Sequence, residues 1–187
     1  MQRSDSDWLP QLHQIATLGV RHACGMAEAE AQFQALQAEL PATLQEPSGV
    51  FVTLTKKGQL RGCIGYPLPH KPLPEALFES GYNAAARDPR FAPLQAEELK
   101  GLEVTINLLT PPQSIPSIEQ FIVGEHGIVL RKGGHSALFL PEVASEQGWD
   151  REQTLNHLAV KAGLPADGWR EGAQFAVFWS VPYCGGV

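Results

Sequence analysis

The sequence predicts an α+β fold, two ββαβ repeats with mostly antiparallel sheets, preceded by amino-terminal helices. Three observations predict it. Residues 49–65 and 127–140 each read as a strand, a glycine turn and a return strand. Each of these hairpins is followed by a helical stretch and then another β-rich segment. Ahead of both, residues 7–41 carry apolar side chains at helical spacing. With 187 residues, 43% of them hydrophobic and 18% charged, the chain is long enough to bury a core as a single domain, residues 1–187.

The elements follow in order. Leu12, Ile15, Ala16, Gly19, Val20 and Ala23 recur near helical spacing across residues 9–24, with Asp7 as the expected cap and Gly25 as the stop. Phe33, Leu36 and Leu40 line one side of a second helix over 27–40, which Pro41 ends. The first ββαβ unit, 49–110, opens with "GVFVTLT", turns at "KKGQ" and returns as "LRGCIG". Four prolines in residues 66–74 dictate an irregular loop. A helix over 74–87 then places Pro74 in its first turn, where a missing N–H costs little. "DPRFAPL" is a turn, and the β-branched run 102–110 is a strand halted by Pro111 and Pro112. The second unit, 127–180, repeats the pattern. Its helix is capped by Asp150 with Gln153 in a capping box, runs to about Ala162 and stops at Gly163; its closing strand is 173–180.

Composition removes several function classes. A net charge of −6 argues against a nucleic-acid face, which needs a basic stripe. No apolar run approaches the roughly 18 residues of a membrane span. The first ten residues, MQRSDSDWLP, lack the apolar core of a signal peptide. Cys24, Cys63 and Cys184 form no CxxC pair, so neither a zinc ribbon nor a dithiol redox motif is available. An odd, sparse set of thiols fits a reducing compartment, and the expectation is a soluble cytoplasmic protein. No His, Cys, Asp and Glu set has metal-ligand spacing, and no GxGxxG, Walker A or GxSxG motif occurs.

The informative stretch is Leu60 to Gly65. Aligning the turn glycines Gly58 and Gly134 sets Arg61-Gly62-Cys63-Ile64-Gly65 opposite Ala137-Leu138-Phe139-Leu140-Pro141. The second unit makes the same return strand from plain apolar residues, so the arginine, thiol and glycines answer to something other than strand formation. Arg61 and Cys63 alternate onto one face of the strand. A neighbouring guanidinium favours thiolate over thiol. Gly62 and Gly65 leave backbone open to a ligand or to another chain segment. The functional reading is a small anion-friendly surface formed by Arg61, Gly62, Cys63 and Gly65, joined by Asp88 and Arg90. The structural reading makes Cys63 a small buried hydrophobe, the glycines packing or bulge positions, and Arg61 the partner of a surface carboxylate.

Other candidates are weaker. Asp88 before Pro89 is a common turn device, while Arg90 and Phe91 can reach back over the glycine strand. His126 and His135 flank the second hairpin and are expected to face solvent. Lys161 sits near a helix C-terminus, where a cation is favoured. Trp149, Trp169 and Trp179 read as packing residues.

Taken together, these stretches resemble the AMMECR domain family, whose members include protein A of the AmmeMemoRadiSam system. The matching residues are "LRGCIG" at 60–65, "DPRF" at 88–91 with the "PL" and "EEL" that follow, and the strand ending Leu108-Leu109-Thr110. Gly124, His126 and Gly127, "LFLPEVA" at 138–144, Trp149-Asp150 and "KAGL" at 161–164 complete the set, spanning residues 8–183. Asn107 stands where relatives commonly have serine. Ala159 stands where they often have cysteine, which weakens any mechanism needing a second thiol there.

The resemblance implies the two-repeat fold and linkage to a Memo-type protein and a radical-SAM enzyme, but it carries no activity and no cofactor. An iron–sulfur centre would sit on a partner, since this chain has no CxxxCxxC. Two functions follow as expectations. The first is a binding or accessory component of a radical-SAM/Memo-linked modification pathway. The second is a cysteine-dependent enzyme acting on a small anionic substrate, with Cys63 as nucleophile and Arg61 activating it.

Overall fold

Lys57 and Gly58 both adopt positive φ, 53° and 75°, the left-handed pair that lets a two-residue turn match the twist of its flanking strands. This turn joins β1 (Gly49–Lys56) to β2 (Gln59–Tyr66), and β1 also pairs antiparallel with β3 (Leu102–Leu109). A last strand, β8 (Ser180–Gly186), completes a sheet of order β2-β1-β3-β8. The computed structural model describes residues 5–187; residues 1–4, part of the segment read as lacking a signal peptide, lie outside the described residues. It contains two compact units, one reaching to Leu109 and including Val181–Val187, the other Thr110–Ser180.

In the first unit the period-two alternation of the strands sends Val50, Val52 and Leu54 of β1 and Val104 and Ile106 of β3 into the core. There they meet Leu12, Ile15 and Ala16 of α1 (Leu9–Ala23) and Ala76, Leu77 and Ala84 of α3 (Leu73–Ala86). A third helix, α2 (Glu28–Glu39), adds Ala29 and Phe33 to the same core. The opposite face of the sheet carries Phe51, Thr53, Thr105 and Asn107, all half-buried.

The two long helices approach at glycines. A Cβ on Gly19 would lie 2.0 Å from the Phe78 carbonyl oxygen, and one on Gly81 would lie 2.1 Å from that of Ala16. Each glycine therefore admits the backbone of the other helix.

The second unit has its own sheet, of order β4-β7-β5-β6, from β4 (Gln113–Ile115), β5 (Gly127–Lys132), β6 (His135–Phe139) and β7 (Gln174–Phe178). Two helices, α4 (Pro141–Gln147) and α5 (Arg151–Lys161), lie between β6 and β7 in the chain. Its core includes Phe121, Ile128, Leu130, Leu158, Ala159 and Val177. The expected capping box is present: Gln153 N–H donates to Asp150 Oδ1 (2.8 Å) and Asp150 N–H to Gln153 Oε1 (3.0 Å). Gly163 follows the helix at φ 80°.

Several details differ from the sequence expectation. Asp7 does not cap α1; a 3-10 turn, Asp5–Trp8, leads in, Trp8 occupies the cap position, and Pro10 pre-sets the first helical turn. Strand β8 and the short strand β4 carry too little β signal to be read from sequence. Pro182 and two glycines sit in β8, tolerated because it is an edge strand.

Replacing Gly81 with Ala tests the close helix approach. In an open helix this change gains about 1 kcal/mol; here the added methyl overpacks the contact and should lose about 1–3 kcal/mol. A urea midpoint equal to or above that of the natural protein would refute it.

Candidate functional site

The hexapeptide forms most of β2, an edge strand of the first sheet. Thr55 pairs with Leu60, but Leu54 pairs with Gly62, so Arg61 is the extra residue of a β-bulge. The second hairpin runs in continuous register from Ile128–Phe139 to Lys132–His135. This is a physical difference behind the contrast between the two return strands.

Gly62 points to the core face. A Cβ there would lie 2.2 Å from the Ala84 carbonyl oxygen, so helix α3 occupies the space a side chain would need. A Cβ on Gly65 would lie 2.1 Å from Val50 O and 2.6 Å from Phe51 Cα, across the ladder to β1. Of the two uses the sequence left open for bare backbone, approach by the chain's own segments accounts for both glycines.

Cys63 lies on the other face, half-buried, and pairs with Thr53, whose hydroxyl donates to Cys63 Sγ at 3.3 Å. Its main-chain groups on the free edge are taken by the "DPRF" turn. Asp88 Oδ2 accepts the Cys63 N–H at 2.8 Å, and Arg90 Nη2 donates to the Cys63 carbonyl at 3.3 Å. Asp88 also accepts from Arg90 N (3.1 Å), Nε (2.9 Å) and Nη2 (2.6 Å), with its side chain only 2% exposed. The Arg90 guanidinium holds the Asp88 carboxyl well below the usual carboxylate range, the Cys63 and Arg90 peptide N–H groups assist, and burial opposes them.

Arg61 is similarly fixed. Its Nε and Nη2 donate to the two oxygens of Glu98, each at 3.0 Å, in a fork-to-fork pair with 17% of the arginine side chain exposed. Glu98 Oε2 also accepts from Gln95 N–H at 3.0 Å, closing a capping box around a 3-10 turn. Arg61 first, then that peptide N–H, keeps the Glu98 carboxyl below its ordinary value. Phe91 lies under both guanidinium groups, its ring centroid 6.0 Å from Arg61 Cζ and 5.4 Å from Arg90 Cζ.

Arg61, Cys63, Asp88 and Arg90 are thus gathered around one strand edge. Thr53 and Glu98 belong to the arrangement and were not among the sequence candidates; the "QAEE" capping pattern ahead of Leu99 was the available signal for Glu98. His126 lies elsewhere, in the second unit. It is not solvent-facing as expected: it is 8% exposed, accepts the Ile122 N–H at Nδ1 (3.2 Å) and meets the Trp179 ring edge-on at 4.9 Å. His135 is exposed, with Nδ1 2.9 Å from Ala162 O. Among the described residues no group of three or more His, Cys, Asp or Glu side chains is placed to hold a metal ion, and no helix is long and apolar enough to cross a membrane.

Fold and site define a two-sheet α+β protein whose glycine-bearing edge strand is clamped by an Asp–Pro–Arg–Phe turn. The AMMECR1 family model matches residues 16–182, and the chain belongs to that family. A protein of Methanothermobacter thermautotrophicus is 47% identical over 137 residues, covering 69% of this chain and 70% of the relative. One from Methanosarcina acetivorans is 43% identical over 147 residues, covering 75% and 73%. The crystal structure of an uncharacterized protein from Pyrococcus horikoshii is similar at a TM-score of 0.73 and 34% identity, covering 94% of this chain and 91% of that one.

The clamp makes a pH-dependent prediction. Asp88→Asn removes the charge from a buried carboxylate that accepts several hydrogen bonds and should cost about 1–3 kcal/mol near neutral pH, since its partner Arg90 stays half-exposed. Because the folded-state carboxyl titrates below its unfolded value, its contribution is full above about pH 4 and is lost as pH falls further. Urea midpoints of the natural protein and the variant should therefore converge in acid; a gap independent of pH would refute the assignment.

Proposed function

We propose that this protein is a non-catalytic binding module, an accessory component of a radical-SAM/Memo-linked modification pathway. In this reading it docks a partner protein on the surface where "LRGCIG" and "DPRF" meet. One observation carries the reading: Phe91 lies beneath two arginines whose own charges are already engaged by Asp88 and Glu98. Arginine and aromatic side chains dominate protein–protein hot spots. Groups already held in place lose little freedom on docking. The Arg90 side chain remains 53% exposed and available to a partner. Among the described residues, Cys63 Sγ accepts from the Thr53 hydroxyl and interacts with the Arg90 guanidinium, and neither group can take the thiol proton as a general base would.

The Memo-type protein and the radical-SAM enzyme are the partners to test, using the full chain. Phe91→Ala and Arg90→Ala should each weaken capture of one of them by about 2 kcal/mol, roughly thirtyfold. Undiminished capture by both variants would overturn the reading.

The Thr53 hydroxyl on Cys63 Sγ favours a second reading, because a donor to sulfur stabilises thiolate. Here the protein is a cysteine-dependent enzyme acting on a small anionic substrate, with Cys63 as nucleophile and Arg61 activating it, while the guanidinium that interacts directly with Cys63 is that of Arg90. Iodoacetamide labelling of the native protein, mapped to Cys63 and compared with Cys63→Ser, separates the two. Rapid labelling below about pH 7 that slows in Thr53→Val and in Arg61→Ala supports the enzyme. Labelling that requires unfolding excludes it.

A further inference from the structure

A second polar cluster in the first unit lies outside the hexapeptide surface. The last turn of α1, the end of β2 and one side of α3 enclose a cleft of about 350 Å³, within the size range of small-molecule sites. Its walls are mainly rings. Phe78 and Tyr82 project from α3 one helical turn apart, and His22 faces both, at 5.6 and 5.8 Å between ring centroids. Tyr66, the last residue of β2, supplies a fourth ring.

The charges around these rings are unequal. Tyr66 donates its hydroxyl to Glu79 Oε2 at 2.7 Å, and Lys71 donates to the same oxygen while its ammonium sits 5.1 Å from the Tyr66 ring centre. Glu79 and Lys71 thereby neutralise one another. Burial pushes the Glu79 carboxyl up, but the hydrogen bonds from Lys71 and Tyr66, with the charges of Lys71 and Arg87, outweigh it and hold it below its ordinary range, while burial and Glu79 push the Tyr66 phenol up. At neutral pH the wall is a carboxylate, an ammonium and a neutral phenol. Arg87, at the C-cap of α3, is different. Its guanidinium lies 5.2 Å from the Tyr82 ring centre, and among the described residues it has no ion-pair partner. The cleft therefore keeps one positive charge in a chain whose net charge is −6.

From this geometry we propose that the cleft binds a small aromatic anion: one planar ring carrying a carboxylate or a phosphate. The ring packs among Tyr66, Tyr82 and Phe78, the last already stacked on Phe33 at 4.4 Å, and the anionic group meets the Arg87 fork, which suits either oxyanion. Glu79 does not repel it, because Lys71 and Tyr66 already occupy that carboxylate. A cationic ligand is disfavoured for the same reason: the acidic group is taken and the available charge is positive.

Heteronuclear NMR titration of the full chain tests this with benzoate, phenyl phosphate, benzamide and inorganic phosphate. Benzoate or phenyl phosphate should give saturable shifts centred on Tyr66, Phe78, Tyr82 and Asn83. Benzamide, lacking the charge, and inorganic phosphate, lacking the ring, should bind about tenfold more weakly or not at all. Which of the two anions binds tighter identifies the natural headgroup. Arg87→Gln should weaken the better ligand about tenfold, with Arg87→Lys retaining part of the affinity. Tyr82→Leu should weaken it as well, and Cys63→Ser should leave it unchanged. Equal affinity for benzamide, undiminished binding by Arg87→Gln, or shifts centred elsewhere would overturn the proposal.

Discussion

The buried carboxylate of Asp88 takes over the hydrogen bond that a fifth strand would otherwise make. An edge strand exposes a row of peptide groups that must be paired, covered or left to solvent. In β2 Asp88 accepts the Cys63 N–H and Arg90 donates to the Cys63 carbonyl, so one short turn mimics a strand at that residue. The charge makes the substitution strong. Asp88 accepts from three nitrogens of Arg90 as well as from Cys63, and a carboxylate so surrounded stays ionised although it is buried.

The same clamp organises its surroundings. Arg90, held by Asp88, brings Phe91 against the strand, and Phe91 then underlies the Arg61 guanidinium. Arg61 can lie there because the bulge at its position adds one residue to β2. Its fork on Glu98 ties the strand to the next turn of the chain. Sulfur, guanidinium and phenyl ring are therefore positioned by neighbours that are themselves hydrogen-bonded, so the arrangement is preorganised.

Helix α3 is the mechanical centre of the first unit. Gly19 and Gly81 let it close on α1, and Gly62 lets its Ala84 carbonyl press on β2. Three glycines separated widely in sequence thus serve one element. The helix also joins the two surfaces, for Arg87 at its C-cap belongs to the aromatic cleft and Asp88, the next residue, belongs to the clamp. A backbone held this closely on two sides presents both with little freedom.

Much of the fold was legible because its signals are local. The turn glycines, the Asp150–Gln153 capping box, the Gly163 stop and the alternation of Val50, Val52 and Leu54 each arise from interactions within a few residues. The hexapeptide and the "DPRF" turn stood out by residue type alone. That Arg90 and Phe91 can reach back over the glycine strand was readable too, but the individual bonds were not, because Cys63–Asp88 and Arg61–Glu98 link residues 25 and 37 apart and no local rule relates them. Gly62 and Gly65 could be recognised as positions needing bare backbone, but whether a ligand or the protein filled the space was decided only when α3 and β1 packed there. Strand β8 went unread for a related reason: with a proline and two glycines it has weak intrinsic preference, and it becomes a strand because β3 offers it a ladder. The sequence by itself determined the hairpins, the long helices, their order and the family; tertiary structure decided the edge strands β4 and β8 and which charges are neutralised, since those depend on pairings between distant parts of the chain.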